Sequence, residues 1–125
     1  MSDDRRKALV IDDDPDMAAL LSALLEDRGF RVDVVADGIH ATDCGHRYDV
    51  ILLDLNMPVF DGERLVEYWS ITQPDVLQRV IVLSGYSRFT RGRELPTFGI
   101  LPKPFDFNAL DELIDACIGA QVSVI

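Results

Sequence analysis

Polar residues follow several short apolar runs of this chain, at spacings that could build one reactive site. Asp12 and Asp13 come after the first run and Asp54 after the third, while Ser84 and Lys103 follow the fourth and fifth. Carboxylates that are crowded together repel each other unless a cation lies between them. Mg²⁺ prefers such oxygen ligands and keeps positions for water and phosphoryl oxygens. A hydroxyl and an ammonium group nearby suit the same anion, so these residue types predict a Mg²⁺-dependent phosphoryl site.

This site forms only if the apolar runs are strands of one parallel sheet. The runs Ala8–Ile11, Val50–Leu53 and Val80–Leu83 have the length and continuous apolar character of strands buried on both faces. We predict two further strands, over Arg31–Val35 and Gly99–Leu101. Since helical segments alternate with these strands, the pattern favours an open parallel α/β sheet. Ligands in such sheets bind beyond the carboxyl ends of the strands, where the polar residues stand.

The segments between the strands carry helix signals. Asp14 and Pro15 predict the cap and the first turn of one helix. Its apolar stripe follows at helical spacing: Met17, Leu20, Leu21, Leu24 and Leu25. Further helices are predicted over Ile39–Arg47, near Glu63–Ile71 and over Phe107–Ile118. Glycine and proline punctuate residues 85–99, so we expect at most a short helix there.

Length and composition limit the class of protein. The chain has 125 residues, which is one ordinary domain, and we place its core at about 8–118. The net charge of −10 argues against direct binding of nucleic acid. We expect no membrane contact, because no apolar run approaches the length of a membrane helix. Cys44 and Cys117 suggest no disulfide framework, which favours the cytoplasm.

The whole pattern resembles the receiver domain of two-component response regulators, from about Ala8 to Ile118. The motifs that carry the resemblance are VIDDDP from Val10, LLDLNMP from Leu52 with Asp61-Gly62 after it, VLSGY from Val82 and LPKPF from Leu101. The resemblance implies a flavodoxin-like, doubly wound sheet of five parallel strands in the order 2-1-3-4-5, with helices on both faces. The segment before Lys103 is shorter than is common in the family, so we expect the fourth helix to be short or irregular.

The resemblance also implies roles for the acidic residues. Asp54 is expected to accept a phosphoryl group from a phosphohistidine of a sensor histidine kinase or a histidine phosphotransfer protein. Asp13, Asp54 and the backbone carbonyl of Asn56 are expected to bind Mg²⁺, and Asp12 to act through a metal-bound water. Hydrolysis of the aspartyl phosphate would reset the switch, and a downstream effector domain or protein would read it.

On the other side of the site, the resemblance implies that Ser84 and Lys103 contact phosphoryl oxygens and that the Lys103–Pro104 bond is cis. One departure concerns the switch position, where receivers commonly carry Tyr or Phe and this chain has Ile100. Ile100 cannot make the movement of an aromatic ring, and Phe98 is a candidate substitute. We therefore predict normal phosphorylation with an atypical relay of the signal.

Two other functions compete with this interpretation. Haloacid-dehalogenase-like phosphatases also use an Asp nucleophile with Mg²⁺, but their DxDx[TV] motif requires a Thr or Val that Asp12–Asp16 lacks. A degenerate receiver that serves only as an interaction module is the second alternative, favoured by Ile100 and the short fourth helix. We expect a domain that promotes its own phosphorylation and turns over no independent substrate. The sequence leaves the context of this domain open: it could be a standalone regulator, part of a hybrid kinase or part of a transcription factor.

Overall fold

The structure, a computed structural model, describes residues 5–55, 62–84 and 96–122. Its strands are β1 (Lys7–Ile11), β2 (Arg31–Val35), β3 (Val50–Asp54), β4 (Val80–Ser84) and β5 (Gly99–Pro102). Its α-helices are α1 (Pro15–Asp27), α2 (Gly62–Thr72) and α3 (Phe107–Val122). All the strand pairs are parallel, in the order β2-β1-β3-β4-β5. The predicted fold class is therefore confirmed.

The sheet separates two apolar clusters, because successive side chains of a strand point to opposite faces. On one face the strands contribute Leu9, Ile11, Ile51, Leu53, Val80 and Val82, which pack with Leu65, Val66 and Trp69 of α2. On the other face they contribute Ala8, Val10, Val50, Leu52, Ile81 and Leu83, which pack with residues of α1 and α3. Helices thus cover both faces, as the resemblance implied.

The first helix begins where the sequence predicts. The carboxylate of Asp14 accepts hydrogen bonds from the backbone N–H groups of Asp16 and Met17, at 3.0 and 3.4 Å, and Pro15 is the first helical residue. The predicted stripe is wrong at Leu20, which is 53% exposed. Ala18, Leu21 and Leu25 are the residues of α1 that are buried against the sheet. Because the helix has 3.6 residues per turn, Leu20 lies on a different face from Ala18, Leu21 and Leu25.

The predicted helix over Ile39–Arg47 is wrong as a continuous element. The structure has two 3₁₀ turns, Ile39–Ala41 and Gly45–Arg47. A Cβ atom on Gly45 would lie 2.8 Å from both the Trp69 ring and Val76, so this segment packs against its neighbours at a distance that only glycine allows. The expected fourth helix falls within residues 85–95 and lies outside the described residues. Among the helices that the structure describes, none combines the length and apolar character needed to cross a bilayer.

Candidate functional site

Three carboxylates meet at the carboxyl edge of the sheet. Because β1 and β3 are neighbours, Asp12 and Asp13, which follow β1, lie beside Asp54, the last residue of β3. One oxygen of each carboxylate lies within 4.8 Å of the other two. Asp12 and Asp54 are only 3% and 5% exposed, whereas Asp13 faces solvent. The result is a negatively charged cluster with one open side.

Asp12 is the most constrained of these acids. Its backbone N–H donates to the carbonyl of Val35 at 3.1 Å, and its Oδ1 accepts a 2.9 Å hydrogen bond from the N–H of Asp14. Its Oδ2 is buried and accepts no hydrogen bond from the described residues. Burial raises the pKa of Asp12 to about 6, and the charge of Asp54 adds to the rise, while the Asp14 N–H and Lys103 oppose it. A buried oxygen without a donor fits a cation in this cluster.

Lys103 supplies the positive charge of the site. Its Nζ lies 3.3 Å from Oδ1 of Asp54, which makes it the ion-pair partner of a buried carboxylate. Its backbone N–H donates to the carbonyl of Ser84 at 2.7 Å, so the ends of β4 and β5 are joined directly. The Lys103–Pro104 peptide bond is cis, which confirms that expectation. Ser84 itself is buried at the end of β4, in the strand next to Asp54.

The structure thus brings five of the predicted site residues to one edge: Asp12, Asp13, Asp54, Ser84 and Lys103. Asn56, whose backbone carbonyl was the expected third metal ligand, lies outside the described residues. The switch position Ile100 is half-buried and packs against the cluster that α2 covers.

Phe98 does not stand in for the missing aromatic residue at the switch position. Phe98 packs against the opposite cluster, with α1 and α3, whereas Ile100 packs on the α2 side. Its N–H donates to the carbonyls of Leu77 and Val80, at the amino end of the neighbouring strand. The site lies at the other end of these strands, so that substitution is wrong.

One residue of the site received no role from the sequence. A Cβ atom on Gly62 would lie 2.8 Å from the backbone oxygen of Asp54 and 2.9 Å from Cα of Leu55. Helix α2 therefore begins directly against the backbone that positions the Asp54 carboxylate. The Asp61-Gly62 pair was visible in the sequence, but nothing in it indicated so close a contact.

Comparison with known proteins gives the family. The family model described as the response regulator receiver domain matches residues 8–115. The chain belongs to this family. The carboxylate cluster described above is accordingly the acidic pocket of a receiver domain.

Relatives of this receiver domain include regulators of different lengths. It is 45% identical over 86% of its length to the transcriptional regulatory protein TcrA of Mycobacterium tuberculosis, of which it covers 42%. It is 30% identical to the sporulation initiation phosphotransferase F of Bacillus subtilis, over 88% of this chain and 89% of that protein. The chain spans about half or less of the first curated relatives that it matches.

Solved structures include the receiver domain of the sensor histidine kinase PA1611 from Pseudomonas aeruginosa, with a magnesium ion coordinated in its active-site cleft. The TM-score is 0.80 at 29% identity, and the match covers 92% of this chain and 98% of that one.

Proposed function

We propose that this receiver domain transfers a phosphoryl group to Asp54 from a phosphohistidine of a sensor histidine kinase or a histidine phosphotransfer protein. The observation that carries the proposal is the buried Asp54 carboxylate, held 3.3 Å from Lys103 within a cluster of three acids. A carboxylate oxygen of Asp54 attacks phosphorus, and the bond from phosphorus to the histidine nitrogen breaks. That nitrogen keeps the bonding electron pair and leaves with the imidazole.

The other residues at this edge position and neutralise the transferred group. Asp12, Asp13 and Asp54 would hold Mg²⁺ together with the backbone carbonyl of Asn56, and the ion would neutralise charge on the phosphoryl oxygens. The orphan Oδ2 of Asp12 and the magnesium-bound relative support this assignment. The Lys103 ammonium pairs with one phosphoryl oxygen, and the buried Ser84 hydroxyl donates to another.

Hydrolysis of the aspartyl phosphate returns Asp54 to its free form, so the domain acts as a switch. It promotes its own phosphorylation and dephosphorylation and turns over no independent substrate. A downstream effector domain or protein reads the phosphorylated state. Because Ile100 stands at the switch position, the signal leaves the site without the usual aromatic movement. We place this activity in the cytoplasm.

The phosphodonor protein docks on an apolar surface beside the site. A groove of about 390 Å³ is lined by Met17, Lys103, Pro104, Phe105 and Phe107. Phe107 is 46% exposed and its ring meets that of Phe105 edge-on, at 5.9 Å between centroids. Exposed apolar residues around the lysine that pairs with Asp54 suit a protein partner that must bring its own histidine to this site.

The decisive test is the intact mass of the protein after incubation with Mg²⁺ and acetyl phosphate. We expect one phosphoryl adduct that requires Mg²⁺ and is absent from the Asp54→Asn variant. A folded, Mg²⁺-binding protein that gains no adduct would contradict the proposal and favour a receiver that serves only as an interaction module. Steady release of phosphate from small phosphoesters would favour a phosphatase.

The docking surface is tested with Phe107→Ser. We expect this change to slow transfer from a phosphohistidine donor about tenfold more than transfer from acetyl phosphate, because a lost apolar contact of about 1.4 kcal/mol weakens only the protein complex. Ile71→Ser is the matched control, since Ile71 is an exposed apolar residue on α2, outside the groove. Equal slowing by both variants would place the docking surface elsewhere.

A further inference from the structure

Among the residues that the structure describes, positive and negative charges are separated along the strand direction. We define the carboxyl edge as the described residues at and after the carboxyl ends of the strands: 12–16, 36–40, 54–55 and 103–106. The amino edge consists of the residues that precede or begin strands β1–β4: 5–7, 26–31, 45–49 and 73–79. Within the described residues, the carboxyl edge holds seven Asp residues, with Lys103 as its only Lys or Arg. The amino edge holds seven of the nine Lys and Arg residues that the structure describes, and four acids. A chain of net charge −10 thus carries a local positive excess opposite its phosphorylation site.

The bases of the amino edge form a row across the sheet. Lys7 and Arg31 are register partners at the start of β1 and β2, and both are exposed. Arg47 is exposed three residues before β3. Arg79 directly precedes β4, and its Nη1 donates to the carbonyls of His46 and Tyr48 at 3.2 Å, which holds it beside the entry to β3. Neighbouring strands are about 4.8 Å apart, so the row from β2 to β4 is roughly 14 Å long.

Among the described residues, no acid forms an ion pair with Lys7, Arg31, Arg47 or Arg79. Glu26 and Asp27 close α1, next to Arg28, whose guanidinium is paired with Asp111 and Asp115 of α3. Asp49 accepts a hydrogen bond from the backbone N–H of Lys7 rather than from its ammonium group. The last turns of α3, which reach this edge, carry no charged residue from 116 to 122.

The row of bases ends at an open groove of about 720 Å³. It is lined by Asp75, Gln78, Arg79, Phe98, Ala120 and Gln121. Phe98 offers an apolar surface there and Arg79 a positive charge, while Gln121 is fixed by a 2.8 Å hydrogen bond from its Nε2 to the carbonyl of Asp49. Because Asp75 lines the groove together with Arg79, the groove suits an uncharged apolar or aromatic side chain, and the carboxylates of a ligand would lie along the row of bases.

From the row and the groove together, we propose that the amino edge binds an extended, acidic protein segment with one apolar side chain. An extended chain rises about 3.3 Å per residue, so four or five residues match the length of the row. Its carboxylates would lie against Arg31, Lys7 and Arg47, and its apolar residue would enter the groove at Phe98. A nucleic acid fits less well, because the net charge of −10 repels a long polyanion more strongly than a peptide with a few carboxylates.

The test uses a fluorescein-labelled peptide in which Glu and Asp residues flank a single Phe. We expect saturable binding by fluorescence anisotropy at low ionic strength, weakened by added NaCl. Arg31→Glu should weaken it by about fivefold, the upper range for one exposed charge pair. Arg64→Glu, the same charge change on α2, should leave binding within twofold. Ala120→Leu fills the groove. This change should weaken binding of the Phe-containing peptide more than binding of a peptide that has Ser in place of Phe.

The proposal is overturned if the peptide does not bind, or if Arg31→Glu and Arg64→Glu weaken it equally. It is also overturned if a short DNA duplex competes as well as the peptide. Self-association lost in Arg31→Glu would assign the surface to a second copy instead. Circular dichroism confirms that each variant is folded. All these measurements use unphosphorylated protein, so their outcome is independent of whether Asp54 accepts a phosphoryl group.

Discussion

The Asp12 carboxyl group has the most perturbed environment of the three acids in this site. It is buried beside Asp54, its Oδ1 is satisfied by the N–H of Asp14, and its Oδ2 has no donor among the described residues. Without a cation, this environment favours the protonated acid and raises its pKa from 3.8 to about 6. A divalent ion bound to Oδ2 would instead stabilise the deprotonated carboxylate of Asp12.

This shift gives the effect of Mg²⁺ a definite pH dependence. Between about pH 4 and 6 the folded protein keeps a proton on Asp12 that the unfolded chain has released, so the metal-free free energy of unfolding falls as pH rises through that window. A Mg²⁺ ion at the proposed site would require the deprotonated form, so its stabilisation would grow over the same range. We expect the Mg²⁺-induced increase in Tm to be about 3–5 °C larger at about pH 7.5 than at about pH 5.

Differential scanning calorimetry with and without Mg²⁺ measures this directly. The Asp12→Asn variant is the control, because it removes the titrating group and should flatten the pH dependence. The same Tm increase at both pH values in the unmodified protein would contradict the role of Asp12.

Residue types at strand ends were enough to predict which five side chains meet. They could not predict that the Asp12 side chain is buried, because its burial depends on how closely Asp54 and Asp14 approach it in the folded chain. The error at Phe98 has a similar cause. Proximity to Ile100 in the chain gives no information about which face of the sheet, or which end of the strand, a side chain occupies.

At the scale of elements, α2 is fixed at both ends. Its first residue, Gly62, lies against the backbone of Asp54. Towards its other end, Trp69 Nε1 and Gln73 Nε2 both donate to the carbonyl of Thr42, at 3.0 and 3.3 Å. A helix held in this way keeps the end of β3, and with it the Asp54 carboxylate, in a defined position.

Substitution of Gly62 by Ala tests this packing. The new methyl group would lie 2.8 Å from a backbone oxygen, so we expect the free energy of unfolding to fall by about 1–3 kcal/mol and phosphorylation of Asp54 to slow. Gly119→Ala in α3 is the control, because its Cβ meets nothing within 4 Å and should raise stability by about 0.5–1 kcal/mol. Urea unfolding distinguishes them, and a stabilising Gly62→Ala would refute the tight contact.

The strands were predicted to within a residue at each end, since continuous apolar runs between polar residues leave little ambiguity. The segment over Ile39–Arg47 was not, because its conformation follows from a tertiary contact. The ring of Trp69 packs so close to Gly45 that any side chain at position 45 would clash with it. The helical periodicity of a segment cannot predict a contact with a residue that is distant in sequence.

At the scale of the molecule, the sheet has a protected centre and two weaker margins. Every residue of β3 and β4 is buried, and so is β1 after Lys7, whereas most residues of the edge strands β2 and β5 are half-buried or exposed. We expect amide hydrogen exchange to be slowest in β1, β3 and β4 and measurably faster in β2 and β5. Exchange followed by NMR tests this order, and equal protection of all five strands would contradict it.

The sheet order has a consequence for the duration of a signal. Central strands carry four of the site residues at or just after their carboxyl ends, namely Asp12, Asp13, Asp54 and Ser84, whereas Lys103 follows the edge strand β5. When β5 detaches briefly, the carboxylates and the hydroxyl stay in place while the ammonium group departs. An aspartyl phosphate would then face water without the positive charge of Lys103. If Asp54 accepts a phosphoryl group as proposed, we expect the lifetime of that state to depend on how often β5 detaches, so that mutations in β5 far from the pocket change it.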